Sequence, residues 1–294
     1  MLSKSLDAYI FKKNLSEHSN KTTEYKEITK HKNKNNTYIT ASQKDNVPKN
    51  RYYNILANDN TRVKLVGLNN NYINANHITF TTKNTTSKYI STQAPVPYSF
   101  RDFWKMVWDQ KSSTIIMLTK IREKNKYKAH QYWKNKNTLQ FKYSKTETTN
   151  NCSFTLSVSL IKKIKLDNGI IIRNFILKSG STSRYINHIQ YCNWGDYKCP
   201  SSIQDITTLI RLMELFQESG QLVKLNGPPI VHCSAGVGRS GIFIACSIVK
   251  NLLLYELPVN ICDIVTQMRL CRTGMVQTDE QYSFIYQFKE SITI

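Results

Sequence analysis

The stretch HCSAGVGRSG, from His232 to Gly241, sets a cysteine and an arginine six positions apart around two glycines. It stands where an apolar run, Pro229, Ile230 and Val231, gives way to a helical pattern. A strand, a tight turn and a helix in that order make a cup for a tetrahedral dianion. The turn's backbone N–H groups point inward, the helix adds positive potential at its first turn, and a guanidinium clamps two oxygens. The same field favours thiolate over thiol, because positive surroundings bring a cysteine from about 8.5 down to roughly 3.5–7.5. On this reading Cys233 is a nucleophile aimed at phosphorus. A cysteine after a buried strand ordinarily packs as a small hydrophobe. Here Gly236 and Gly238 remove side chains where the backbone must approach closely. Arg239 supplies the cation and Ser240 a donor for the sulfur, a conjunction that packing alone does not call for.

Outward from this turn the pattern alternates between strand and helix. VKLVG (63–67) and NYINANHITF (71–80) read as strands broken by Asn and Gly. Phe100, Phe103, Trp104, Val107 and Trp108 recur at helical spacing within residues 98–110. Residues 114–118 form a continuous apolar run suited to a buried strand, and 230–232 another. Residues 138–191 alternate in the strand manner, with a turn at Asp167-Asn168-Gly169. Helices are predicted over 22–32, 203–218, 237–254, 261–270 and 278–290. The order predicts an α/β (α+β) fold with a mixed, twisted central sheet flanked by helices. No Gly/Pro-rich linker divides the chain, so residues 1–20 read as a polar segment and 21–294 as one domain.

The 294 residues carry a formal charge of +21. Such a surface can draw nucleic acid, anionic membrane or acidic protein segments. The lysines are dispersed, and no basic motif is interleaved with aromatics, so nucleic acid is not required. Seven cysteines include no CxxC pair and no His/Cys spacing for zinc, so no metal or other cofactor is expected. No apolar run reaches the ~18 residues of a membrane span. A reducing cytoplasm and a monomer suit these features.

At HCSAGVGRSG the chain resembles the cysteine-dependent protein tyrosine phosphatases, whose signature is His-Cys, five residues, then Arg and Ser or Thr. KNRYYNI (49–55), NYINA (71–75), STQAPV (91–96), DFWKMVW (102–108), IIMLTK (115–120), QYW (131–133) and GMVQTDEQY (274–282) extend the resemblance over residues 20–291. It implies a two-step reaction on phosphotyrosyl proteins. Cys233 takes the phosphoryl group, Arg239 binds the equatorial oxygens with the amides of Ser234, Ala235, Gly236, Val237 and Gly238, and Ser240 steadies the departing sulfur. Asp196, in NWGDYKCP, matches the general acid on a mobile loop, with Trp194 at its hinge. The family's Trp-Pro-Asp is Trp-Gly-Asp here, and Gly195 widens the open ensemble.

Tyr52 matches the ring that sets the depth of the substrate slot. Asn54 stands where an aspartate commonly holds the substrate backbone, and an amide accepts less strongly. Gln277 and Gln281 match the glutamines that position water. Glu123, followed by Lys128, matches the carboxylate that fixes the arginine's fork. His232 would tune the thiolate from behind. A slow phosphotyrosine-binding module is the alternative that the altered acid loop suggests. A phosphoinositide phosphatase is a second, although such loops often carry lysines and residues 234–238 have none. The lysine- and asparagine-rich single domain is also similar to the phosphatases of parasitoid-wasp bracoviruses. That similarity implies action on signalling proteins in an infected host's cytoplasm.

Overall fold

The computed structural model describes residues 21–30, 35–143, 154–195 and 198–292. Asp196, for which the general-acid role is expected, lies outside the described residues. The first half supplies helix α1 (Lys21–Lys30), the single turn α2 (Ile39–Ser42), strands β1 (Arg62–Lys64), β2 (Tyr72–Thr81) and β3 (Thr86–Thr92), helix α3 (Phe100–Asp109) and strand β4 (Thr114–Met117). A small hairpin, β5 (Arg122–Glu123) and β6 (Lys126–Tyr127), precedes β7 (Leu139–Tyr143), β8 (Phe154–Lys165), β9 (Ile170–Ser179) and β10 (Thr182–Tyr191). The C-terminal part runs α4 (Ile203–Leu222), β11 (Ile230–His232), α5 (Gly238–Leu254), α6 (Ile261–Cys271) and α7 (Asp279–Ile292).

Nine strands join one sheet in the order β1-β2-β3-β11-β4-β10-β9-β8-β7. Its centre is parallel: β11 lies between β3 and β4, and β10 follows on β4. Antiparallel pairs complete both flanks. All three residues of β11 are buried, which explains why its sequence is continuously apolar up to His232: both sheet faces are covered. On one face α3 inserts Phe103, Trp104, Met106 and Val107 against Tyr132, Trp133 and Phe175. On the other, α4 to α7 pack around Ile242, Phe243, Ile264 and Phe284. Tyr25 and Ile28 of α1 join this second layer.

The sheet places its functional end by topology. In a parallel sheet flanked by helices, ligands bind beyond the carboxyl ends of the strands. Cys233 directly follows β11 at that end, and Gly238 opens α5 five residues later.

Candidate active site

The turn between β11 and α5 has its carbonyls drawn outward. Ser234 O accepts from Ala94 N at 2.9 Å. Ala235 O accepts from Arg272 Nη2 at 3.0 Å, and Gly236 O accepts from Arg272 Nε at 2.9 Å and Ser91 Oγ at 2.9 Å. With the carbonyls taken from behind, the amides are free to face the cleft, and Gly236 N already donates to Cys233 Sγ at 3.2 Å. Gly236 has φ +73°, and a Cβ there would lie 2.1 Å from Thr92 O, so both conformation and space require glycine. A Cβ on Gly238 would meet Gln277 Oε1 at 2.6 Å, so the bare backbone lets the glutamines reach the turn.

Arg239 is 2 % exposed and its fork is fully directed. Nη1 donates to Glu123 Oε1 at 2.8 Å and Nη2 to Glu123 Oε2 at 3.1 Å, a two-point grip that fixes the guanidinium plane. Nη1 also donates to Leu118 O at 3.0 Å and Trp194 O at 3.0 Å. The expected phosphate clamp therefore also holds Trp194, at the base of the loop expected to carry the acid. Trp194 is buried, and its Nε1 donates to Lys198 O at 2.8 Å across Gly195 and the two residues after it.

Tyr52, Asn54, Cys233, Ser234, Ala235, Arg239, Gln277 and Gln281 line one cleft with Ile55. Ser234 Oγ donates to Lys128 O at 2.7 Å, so its contact with Tyr52 Oη at 2.8 Å uses the phenol's proton. That pair ties Tyr52 to the turn between β11 and α5. Lys128 thus takes part through its backbone carbonyl. Gln281 Oε1 accepts from Gln277 N at 2.8 Å, while its Nε2 is buried without a hydrogen-bond partner among the described residues. Such an orphan amide beside the cleft can serve a phosphate oxygen or a water. Ser240 makes no hydrogen bond to the sulfur in this state. Its Oγ is buried and has no partner among the described residues, and the sulfur's hydrogen bond comes from Gly236 N instead. Gly236, Val237 and Gly238 build the turn's backbone without lining the cleft by side chain.

Comparison with known proteins agrees with this geometry. Residues 46–289 match the model of the protein-tyrosine phosphatase family. The chain belongs to that family. It is 34 % identical over 282 residues to tyrosine-protein phosphatase 3 of Dictyostelium discoideum, covering 92 % of this chain and 27 % of that protein. It is 39 % identical over 251 residues to human tyrosine-protein phosphatase non-receptor type 13, covering 85 % and 9 %. With human receptor-type tyrosine-protein phosphatase R it shares 41 % over 244 residues, covering 81 % and 34 %. The chain thus spans about a third or less of these relatives' lengths. A solved structure described as "Structural basis of PTPN18 fingerprint on distinct HER2 tyrosine phosphorylation sites" superposes with a TM-score of 0.80 at 30 % identity, covering 93 % of this chain and 94 % of that one. The protein-tyrosine phosphatase fold expected from the sequence is the fold observed. Relatives include receptor and non-receptor types. Among the described residues no helix is long and apolar enough to cross a membrane.

Two groups behind the site, Arg272 and the ring partners of His232, escape a motif-based reading. Arg272 is wholly buried and, besides the two turn carbonyls, donates to Asn76 Oδ1 at 2.7 Å and Asn74 Oδ1 at 2.8 Å. Burial pulls its guanidinium down to about 10, so it stays charged behind the turn at neutral pH. At the end of α6 it looks like an ordinary partner for the helix dipole. The readable signal is Asn74 and Asn76, two residues apart on a strand and therefore on one face, which need a buried donor.

The second group is a chain of rings. His232 Nδ1 lies 3.1 Å from Cys233 O, and its Nε2 lies 2.8 Å from Tyr132 Oη. Tyr132 Oη also lies 2.8 Å from His188 Nε2, and Arg173 Nη1 reaches His188 Nδ1 at 3.5 Å. Burial holds His232 down at about 4 and His188 well below its ordinary value, so both rings are neutral at pH 7. One set of tautomers then satisfies every bond: Arg173 donates to His188, His188 to Tyr132, Tyr132 to His232, and His232 to Cys233 O. The chain links Cys233 O, at the start of the turn, to Arg173.

Proposed function

We propose that the chain hydrolyses phosphotyrosine in proteins through a phosphocysteine intermediate. The observation that carries it is the cup beyond β11: a sulfur touched by a turn amide, opposite an arginine gripped at two points by Glu123. Cys233 attacks phosphorus, the S–P bond forms, and the bond to the tyrosyl oxygen breaks. A phenol leaves poorly as its anion, with a pKa near ~10, and Asp196 gives it a proton. Arg239 and the amides of residues 234–238 hold the equatorial oxygens, where charge is greatest in the transition state. Water, positioned by Gln277 and Gln281 and deprotonated by Asp196, then displaces the thiolate. The site calls for no metal or other cofactor.

Tyr52 and the cleft's depth select the long phosphotyrosyl side chain, and phosphorylated proteins are the partners. The same proposal places the action in the cytoplasm, that of an infected host cell if the source is viral. Its support is the lysine- and asparagine-rich composition and the free thiols at Cys192, Cys199, Cys233, Cys246, Cys262 and Cys271.

The test is phosphate release from a phosphotyrosyl peptide, with phosphoseryl peptide and inositol lipid beside it. The wild type is expected to turn over the first alone, and Cys233→Ser to lose activity on the order of 10⁶-fold. Binding without release would favour the slow binding module, and equal release from lipid would overturn the choice of substrate.

A further inference from the structure

We propose that Tyr25, on the N-terminal helix α1, is a positioning residue for the hydrolytic step, holding Val276 so that Gln277 and Gln281 face the sulfur. This rests on the phosphatase reading above and adds to it a residue far from the cleft in sequence. Val276 is buried and β-branched, yet has φ +59°. A side chain of that shape avoids the left-handed region, so the surroundings must impose it. Both of its backbone groups are committed. Its N donates to Val237 O at 3.0 Å, in the phosphate-binding turn. Its O accepts from Tyr25 Oη at 3.0 Å and from Arg269 Nη2 at 2.7 Å. Gly241 leaves the room this needs, since a Cβ there would stand 2.5 Å from Val276 N.

The Tyr25 hydroxyl is suited to the task. Arg269 Nη2 donates to it at 3.2 Å, which leaves the phenol's own proton for Val276 O. Burial pushes the phenol up, so that proton stays in place at working pH. Helix α1 is itself pinned where α7 begins: Thr22 Oγ1 donates to Asp279 Oδ2 at 2.8 Å, and Tyr282 Oη donates to Glu24 Oε2 at 2.8 Å, with Tyr286 on the same oxygen. Gln277 follows Val276 directly, and Gln281 is one helical turn further on. A change at Tyr25 therefore reaches the two glutamines first. Cys233 and Arg239 keep supports of their own in β11, Glu123 and Arg272, although Val237 between them is bonded to Val276 N.

The step affected is the second. A water oxygen forms the new O–P bond, the S–P bond breaks with its electron pair returning to Cys233, and the water's proton goes to Asp196. Misplacing the water slows this step and leaves the attack by sulfur alone.

The experiment follows the covalent intermediate. The full chain, in excess, is mixed with a phosphotyrosyl peptide carrying radioactive phosphate and quenched in acid over a time course. Tyr25→Phe keeps the ring in its packing and removes only the hydroxyl. It is expected to become labelled at the wild-type rate and to lose the label about tenfold more slowly, so that label accumulates above the wild-type level. Equal or faster loss overturns the positioning role, and so does a slowing of both steps alike, which is what general loosening would give. A wild type that releases phosphate while Tyr25→Phe behaves identically overturns this role alone. A wild type that neither becomes labelled nor releases phosphate overturns the reaction and the role together.

Discussion

In the turn after β11, every carbonyl from Ser234 to Gly236 has a donor inside the protein. In the described part of the proposed acid loop, Gly195 O and Lys198 O take their donors from the loop itself, Lys198 N at 3.4 Å and Trp194 Nε1 at 2.8 Å. Cys192 N reaches Gly169 O at 2.9 Å, Trp194 is tied to Arg239 and Lys198, and Cys199 Sγ reaches Glu280 O at 3.2 Å. Gly195 and Lys198 between them are exposed. The difference matches two chemical demands. Charge on a phosphoryl group is best met by dipoles already fixed in place. A proton donor that must admit substrate and then cover it has to move. Arg239 links the two, because the nitrogen that grips Glu123 also holds Trp194 O.

The largest way to separate the two regions is Asp196→Ala. It removes the proposed proton donor and is expected to leave the cup intact. Turnover of a phosphotyrosyl peptide is expected to fall about 10²–10⁴-fold, with peptide affinity kept. The loss should shrink for aryl phosphates whose leaving group needs no proton. An equal loss on both classes would show that the residue acts through the cup.

A smaller but sharper test strikes the cup from behind. Arg272→Met removes the cation from two turn carbonyls and from Asn74 and Asn76. Buried acceptors left bare cost about 1–3 kcal/mol each, so melting temperature should fall as well. Loosening the amides should weaken inhibition by phosphate or vanadate about 10²-fold. Unchanged oxyanion affinity would mean that the turn holds its shape without its rear support.

The two regions also differed in how far the sequence revealed them. Strand, turn and helix around Cys233 were legible because an apolar run, two close-packed glycines and a helical period follow one another without ambiguity. Strand β1 ends at Lys64, short of the VKLVG reading, because the chain turns before Gly67, which has φ +70°. Helix α4 runs to Leu222, beyond the predicted 218, although Ser219-Gly220 looks like a stop. Gly220 stays helical because it packs on Ser113, where a Cβ would meet the hydroxyl at 2.4 Å. The site residues within one motif could be placed by spacing. Glu123 needed the resemblance, since more than a hundred residues separate it from Arg239. Arg272 and Tyr132 were hidden for a different reason. Their partners are backbone carbonyls, amides and rings, which leave no charge pattern in a sequence.

The smallest expected effect, and the most specific to the acid loop, comes from Gly195→Pro. Gly195 is not in the left-handed region, and among the described residues a Cβ there would meet Lys198 Cδ at 3.4 Å and Cγ at 3.8 Å, both on a flexible side chain. Its N–H has no backbone acceptor among the described residues, so proline removes no bond there. Proline also biases the residue before it toward extended backbone, and that residue is Trp194, whose carbonyl Arg239 already holds. Restricting the open ensemble at a compatible site is worth about 0.4–1 kcal/mol, or roughly a two- to fivefold rise in kcat, since 1.36 kcal/mol is tenfold. The KM for the peptide should hardly move, because the cup is untouched. If kcat stays level or falls, glycine's freedom is not what limits turnover, and the reason the two regions differ must be sought at Lys198 and Cys199 instead.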